Sequence, residues 1–321
     1  MTEQTPIDVV TVGESLGLLV SERTGTLRDG ATLRLGFGGA ESNVAIGVSR
    51  LGGRAAWVGR LGDDAIGELI LRELRAEGVD AHAAIDTAPT ALMLKERLAP
   101  QRTRVTYYRR EMAGSRLRPS DIPRDVIMDA RILHVTGIPA ALGAEAGAAV
   151  HHAIDLAREA GAVVSFDVNH RASLWNDSAL AAEEYRRLAA RADIVFAGED
   201  EAELVTGEVD IDDQITSLRH LGADHVVIKR GERGAVTLDE DGGRIDLAAI
   251  PVAVVDTVGA GDAFVAGWLT EFGRGADARR RLETAVACGG FACTVDGDWE
   301  AAPTLSGLRG FRSTPGDPVS R

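Results

Sequence analysis

The sequence predicts an α/β fold: a central, mostly parallel sheet covered by helices, with a second, smaller sheet set apart from it. Three observations carry that expectation. From residue 132 onward, short apolar runs alternate regularly with helix-period segments, the pattern of parallel strands joined by helical crossovers. Between about 79 and 110 the pattern turns two-period instead, as in 91–94 and 105–108, with no helix between the pieces. Polar clusters, several with glycine, then sit directly after the strands of the alternating part, where the carboxyl ends of an open sheet line a binding crevice.

In order, the chain opens on a short apolar strand at 7–12. Two more strands are expected at 18–20 and 32–35, parted by Arg28-Asp29-Gly30. Gly36-Phe37-Gly38-Gly39-Ala40-Glu41-Ser42-Asn43 runs into a helix carrying Val44, Ile46, Val48 and Leu51. A strand at 57–59 and a helix at 65–77 follow. The pieces between 79 and 110 join the early short strands in the small sheet, drawn from about 14–36 and 85–110. The alternation then reads strand 132–135, helix 144–160, strand 163–166, helix 179–190, strand 194–196 and helices 201–206 and 211–221. Strand 226–228, a hairpin around Asp241-Gly242-Gly243, a strand at 252–255 and two closing helices complete it. Residues 1–311 form one unit in this reading, and 312–321 read as a disordered tail.

At 321 residues and 45% hydrophobic content the chain can bury a sizeable core. A net charge of −14 and a pI near 5.0 argue against nucleic acid or an anionic membrane surface as a general partner. No run approaches the ~18 apolar residues of a membrane span. Residues 1–8 lack the basic and apolar regions of a signal peptide, so a cytoplasmic protein is expected. Cys288 and Cys293 lie close together on one predicted helix, neither a disulfide framework nor a zinc pattern.

Chemistry concentrates in Asp256-Thr-Val-Gly259-Ala260-Gly261-Asp262-Ala-Phe264. Its glycines allow a tight turn whose N–H groups, at the positive end of a helix, suit a phosphate. Asp262 in the first helical turn is placed either to cap the helix or to take a proton from an attacking hydroxyl. Gly38 and Gly39 either loosen a helix entry or let a polyol approach the backbone, with Asn43 offering a donor and an acceptor. Seven arginines between 97 and 118 face one acid, Glu111, which suggests that something negatively charged docks there; the alternative is a solvated loop. Asp167-Val-Asn169-His-Arg171, Gly198-Glu199-Asp200-Glu201 and Lys229-Arg230-Gly231-Glu-Arg-Gly234 each follow a strand. Asn169 and Arg171 point where a phosphate or carboxylate would lie. The glycines at 231 and 234 suit a loop beneath a nucleotide. Glu201 either caps its helix or binds magnesium through water.

With these segments together the chain resembles the ribokinase-like, phosphofructokinase-B type sugar kinases. The likeness rests on Gly38-Gly39-x-x-x-Asn43 and on Asp256-Thr-Val-Gly-Ala-Gly-Asp262-Ala-Phe. It implies a three-layer sandwich with a small β lid, ATP and Mg2+ as cofactors, a monovalent cation near Asp256, and a homodimer formed through the lid. It further implies Asp262 as base, an anion hole at Gly259, Ala260 and Gly261, and nucleotide contacts at Asn169, Arg171, Lys229, Gly231 and Gly234. Gly38-Gly39-Ala-Glu-Ser-Asn43, Tyr107-Tyr108-Arg109, the 167–175 segment and Gly297-Asp298-Trp299-Glu300-x-x-Pro303 are similar to 2-keto-3-deoxygluconate kinases. That likeness implies a sugar acid phosphorylated at its terminal hydroxyl, contacted by Gly38, Gly39, Asn43, Tyr107, Arg109, Arg171, Asp262 and Asp298. Fructokinase, ribokinase and 5-dehydro-2-deoxygluconokinase activities are the alternatives. Met93 stands where those kinases carry a substrate-contacting Tyr, while Gly198 and Val286 replace polar residues on the nucleotide side.

Overall fold

The computed structural model describes residues 6–99 and 102–313. Its strands are β1 Ile7–Val12, β2 Leu16–Ser21, β3 Leu33–Gly38, β4 Ala55–Gly62, β5 Asp80–Asp86, β6 Leu92–Ala99 and β7 Arg102–Tyr108. They continue with β8 Ala130–Thr136, β9 Val163–Asp167, β10 Ile194–Gly198, β11 His225–Lys229, β12 Ala235–Leu238 and β13 Arg244–Leu247. The helices are α1 Ala40–Arg50, α2 Ala65–Ala76, α3 Arg124–Met128, α4 Ile138–Leu142, α5 Ala144–Ala160 and α6 Ser178–Ala189. After them come α7 Glu199–Thr206, α8 Ile211–Leu221, α9 Ala260–Gly273, α10 Ala278–Ala292 and α11 Leu305–Ser313.

Nine strands form the large sheet in the order β13-β12-β11-β10-β9-β8-β1-β4-β5. From β5 to β11 every neighbouring pair is parallel, and the β12–β13 hairpin closes one edge antiparallel. Apolar residues on both faces of each strand require two helical layers, because successive side chains point to opposite sides. Val10, Val12, Leu133, Val135 and Phe166 pack under α5, α6, α7 and α8. Val9, Trp57, Ile132 and Phe196 pack under α1, α2, α9 and α10. The chain builds outward in opposite directions from β1, so a crevice opens between the carboxyl ends of β1 and β8.

The small sheet runs β3-β2-β6-β7, with β2 and β6 parallel and the outer pairs antiparallel. Leu16, Leu18, Val20, Ala91 and Met93 form a buried cluster on the face turned toward that crevice.

Three expectations need correction. β5 belongs to the large sheet, paired with β4 from Ala56↔Asp80 to Gly62↔Asp86, because α2 supplies the crossover that a two-period reading of 79–110 overlooked. Residues 252–255 form no strand: Val254 and Val255 are exposed, and Val252 and Val254 border a cavity, which accounts for an apolar run outside the sheet. The tail begins later than expected, since α11 extends to Ser313; residues 314–321 lie outside the described residues. Among the described residues no helix is long and apolar enough to cross a membrane.

Candidate active site

The crevice holds a cavity of about 560 Å³ between the carboxyl ends of the large sheet and the apolar face of the small one. Asp167, Gly198 and Lys229, the last residues of β9, β10 and β11, form its floor. A second cavity of about 660 Å³ adjoins it and shares Lys229, Gly231, Thr257 and Gly261. Of the residues to which the resemblance assigns a catalytic or binding role, Gly234 and Ala260 line the second cavity only and the rest line the first.

Asn43 organises the centre. From the first turns of α1 its Nδ2 donates to Asp262 Oδ2 and to Asp298 Oδ1, each at 2.7 Å. Both carboxylates are brought in by tight backbone approach. A side chain at Gly38 would run into the Asp298 carboxylate, and one at Gly259 would run into the Asp298 carbonyl. Gly259 also has φ +73°, a conformation that side chains disfavour. Burial lifts the Asp262 carboxyl to about 6, with the Asn43 bond pulling down and the Asp167 charge pushing up. Burial lifts Asp298 to about 7, and the Asp262 charge adds to that while Asn43 opposes it. An acid at about 6 is ionised near neutrality yet basic enough to accept a proton.

Asp262 stands in the first turn of α9, whose N-cap Gly259 makes no side-chain capping bond. The amides of this turn therefore meet the cavities uncapped by any side chain, at the positive end of a 14-residue helix. The expectation that Asp262 caps the helix gives way to its bond with Asn43. α9 is fixed by close packing, with Gly47 of α1 against Ala266 and Gly267 against Cys288 of α10. Opposite the turn, Lys229 Nζ donates to both oxygens of Asp167 at 2.7 Å and lies 4.0 Å from the point where a Cβ on Gly261 would stand. Burial alone would lower that ammonium, but Asp167, Glu201 and Asp262 hold it above the usual lysine value.

The second cavity is walled by Ile250, Val252, Phe264, Val286 and Gly289, apolar surface suited to a flat aromatic group. Asn169 is buried in a left-handed conformation, φ 42°, a strain that concentrates at functional positions. Arg171 is exposed at the rim. Glu201 accepts the His170 N–H at 2.8 Å and the Gly198 N–H at 2.6 Å, so it does cap α7. Each of its oxygens keeps a lone pair, so a water-mediated bond to a cation fits the same carboxylate. Among the described residues no group of three or more His, Cys, Asp or Glu is arranged as a metal cage.

The arginine-rich segment divides differently from the expectation of a docking patch. Arg97, Arg104, Arg109, Arg116 and Arg118 all form ion pairs within the protein. Of the seven, Arg109 lines the cavity, stacked 5.1 Å from the Tyr107 ring centroid and paired through Nη2 with buried Glu14. Burial raises the Glu14 carboxyl against the pull of Arg109. Glu14 Oε1, Arg109 Nε and Asn43 Oδ1 are buried without a protein partner, three polar atoms on cavity-lining residues. The carboxylate of Asp256, expected beside a monovalent cation, takes Lys95 Nζ on one oxygen at 2.5 Å and the Val258 N–H on the other at 3.2 Å.

Glu14 and Lys95 were not singled out from the sequence. Glu14 lies just past the end of β1, so the rule that selected Asp167 and Lys229 applies to it too. Lys95 shares a strand face with Met93, and nothing in that pattern alone tells the cavity face from the outer one.

A hydroxyl held against Asp262 faces, in the same cavity, the amides of a helix terminus and a fixed lysine. That is the equipment of a phosphotransferase with an alcohol as acceptor. Comparison with known proteins places the chain more narrowly. It belongs to the pfkB family of carbohydrate kinases, whose family model matches residues 6–305. It is 39% identical to the 2-dehydro-3-deoxygluconokinase of Bacillus subtilis, over 96% of each chain. The PfkB protein from Polaromonas sp. JS666 superimposes with a TM-score of 0.84 at 35% identity, over 92% of this chain and 98% of that one. A fructokinase with bound ATP from Xylella fastidiosa gives a TM-score of 0.84 at 25% identity, over 94% and 97%. The architecture is ribokinase-like, as the resemblance implied.

Proposed function

We propose that the protein is an ATP-dependent kinase phosphorylating the terminal hydroxyl of a sugar acid, 2-keto-3-deoxygluconate in the first instance. The observation that carries this reading is the Asn43-held Asp262 beside the uncapped turn of α9, at the meeting of two cavities. The sugar occupies the cavity under the small sheet, where its hydroxyls satisfy Glu14 Oε1 and Asn43 Oδ1. The adenine occupies the apolar second cavity, and the triphosphate crosses the shared wall at Lys229 and Gly261. Asp262 accepts the proton of the terminal hydroxyl as its oxygen attacks the γ-phosphorus, and ADP leaves. The amides at Gly259, Ala260 and Gly261 and the Lys229 ammonium receive the developing charge, so catalysis is positioning and electrostatics. Magnesium, held by phosphate oxygens with Glu201 reaching it through water, would neutralise charge on the β- and γ-phosphates.

The small sheet acts as a lid that keeps water from the transferring phosphoryl group. Its outer face carries Leu35 and Tyr108, 49% and 56% exposed, with Leu19 and Leu94 on the adjoining strands. A second copy of the chain covering that face gives the homodimer, which sedimentation at micromolar concentration would reveal. The cytoplasm suits both the nucleotide and the Cys293 thiol.

A neutral sugar such as fructose is the second reading, favoured by one observation: Glu14 already neutralises Arg109. Of the other lining arginines Arg34 is paired with Asp296, and Arg171 then remains for a carboxylate. An ATP-coupled assay over matched sugar acids and neutral sugars decides between them. The first reading expects 2-keto-3-deoxygluconate to be preferred, with Arg171→Ala erasing much of that preference; a higher kcat/KM on fructose overturns it.

A further inference from the structure

Lys95 stands on β6 of the small sheet, yet its ammonium is paired with the turn that leads into α9. Nζ is 2.5 Å from Asp256 Oδ2, and the two side chains are only 11% and 15% exposed. The remaining oxygen of Asp256 accepts the Val258 N–H, one residue before Gly259, and so shapes the turn that leads into α9. Both oxygens are thus engaged, one by a cation tethered to the chain. The ammonium already offsets the carboxylate's single charge at close range, so a free monovalent ion beside Asp256 would meet its repulsion with no charge left to neutralise it.

The direction of Lys95 follows from sheet register. It pairs with Val20 and Val105, and all three line the cavity. An ammonium on a covered face needs a partner, and Asp256 is the one provided. Two other pairs span the same gap, Arg34 and Arg97 to Asp296, but their side chains are more than a third exposed, where ion pairs contribute little. The covered bond is the one at Asp256.

We propose that Lys95 is a positioning residue, a built-in cation that the small sheet delivers to Asp256 to hold the Asp256–Gly259 turn in its phosphate-accepting form, in place of a free monovalent ion. The inference rests on the kinase reading. It links lid and phosphate site: the sheet that contacts the sugar through Tyr107 also carries the charge that orders the turn.

The test compares wild type, Lys95→Met and Lys95→Arg in sodium and potassium buffers of equal ionic strength. Turnover and affinity for the non-hydrolysable analogue AMP-PNP are both measured, the latter by calorimetry. Wild type is expected to be indifferent to the ion in both readouts. Lys95→Met should lose about 10–100-fold in kcat in sodium, regain part of it in potassium, and show the same ordering in AMP-PNP affinity, while Lys95→Arg stays near wild type. Potassium-dependent wild-type activity, or a folded Lys95→Met that matches wild type in both salts, overturns the proposal. The wild-type comparison requires no variant to fold. Failure of the kinase reading looks different: wild type then binds no AMP-PNP and phosphorylates no sugar in either salt.

Discussion

Asp262 carries the most exposed prediction. Replacing it with Asn keeps the shape and removes the base, so kcat should fall by ~10²–10⁴ with nucleotide affinity nearly unchanged. Since this base works ionised and its carboxyl is lifted to about 6, kcat/KM should rise with pH through about 6 and level off above it. A pH profile with no acid limb there would remove Asp262 from the mechanism. Glu41, fully buried beside Thr136, gives a different readout. Burial raises its carboxyl from 4.5 to about 7, with the Thr136 hydroxyl opposing. The folded protein therefore holds this proton more tightly than the unfolded chain, and stability declines as pH climbs across that interval. Glu41→Gln should be neutral near pH 4 and more stable than wild type by up to ~3 kcal/mol at pH 8, as urea melts at the two pH values would show. Asp262 was legible in the sequence because a short motif encloses it. Glu14 and Lys95 act through partners about ninety and a hundred and sixty positions away, which no local pattern displays.

The N-terminal turn of α9 works because Gly259 permits a conformation that brings Asp298 close. Gly259→Ala should cost ~1–3 kcal/mol of stability through its positive φ. It should also lower kcat at least about tenfold by displacing Asp298 from Asn43. Near-normal kinetics in a variant that melts only slightly earlier would show that the turn tolerates a methyl group. Helices and parallel strands from 132 to 228 were readable because a strand covered on both faces must be apolar throughout and a covering helix on one side only. The same logic misled at 252–255, where the apolar run faces a cavity rather than the sheet. It misled again at 80–86, where a half-polar edge strand resembles lid strands in composition although it pairs with β4.

The two sheets are joined over the cavity by ion pairs at Asp256 and Asp296 and by the Asp298 segment, so a displacement of the small sheet would be felt at the site. Most of the architecture was legible in the sequence, whereas this joining was not, because alternation fixes which way a strand faces but not what it meets. Segments far apart in sequence supply two walls of the cavity, Glu14 just past β1 and Asp298 shortly before α11. Synthesis must pass residue 298 before Asn43 can be held between both of its carboxylates. A chain stopped after residue 295 should keep β1 to β13 and much of its helical circular dichroism while transferring no phosphate. The growing polypeptide thus stays incapable of spending ATP until residue 298 has emerged, a safeguard written into connectivity rather than into any single group.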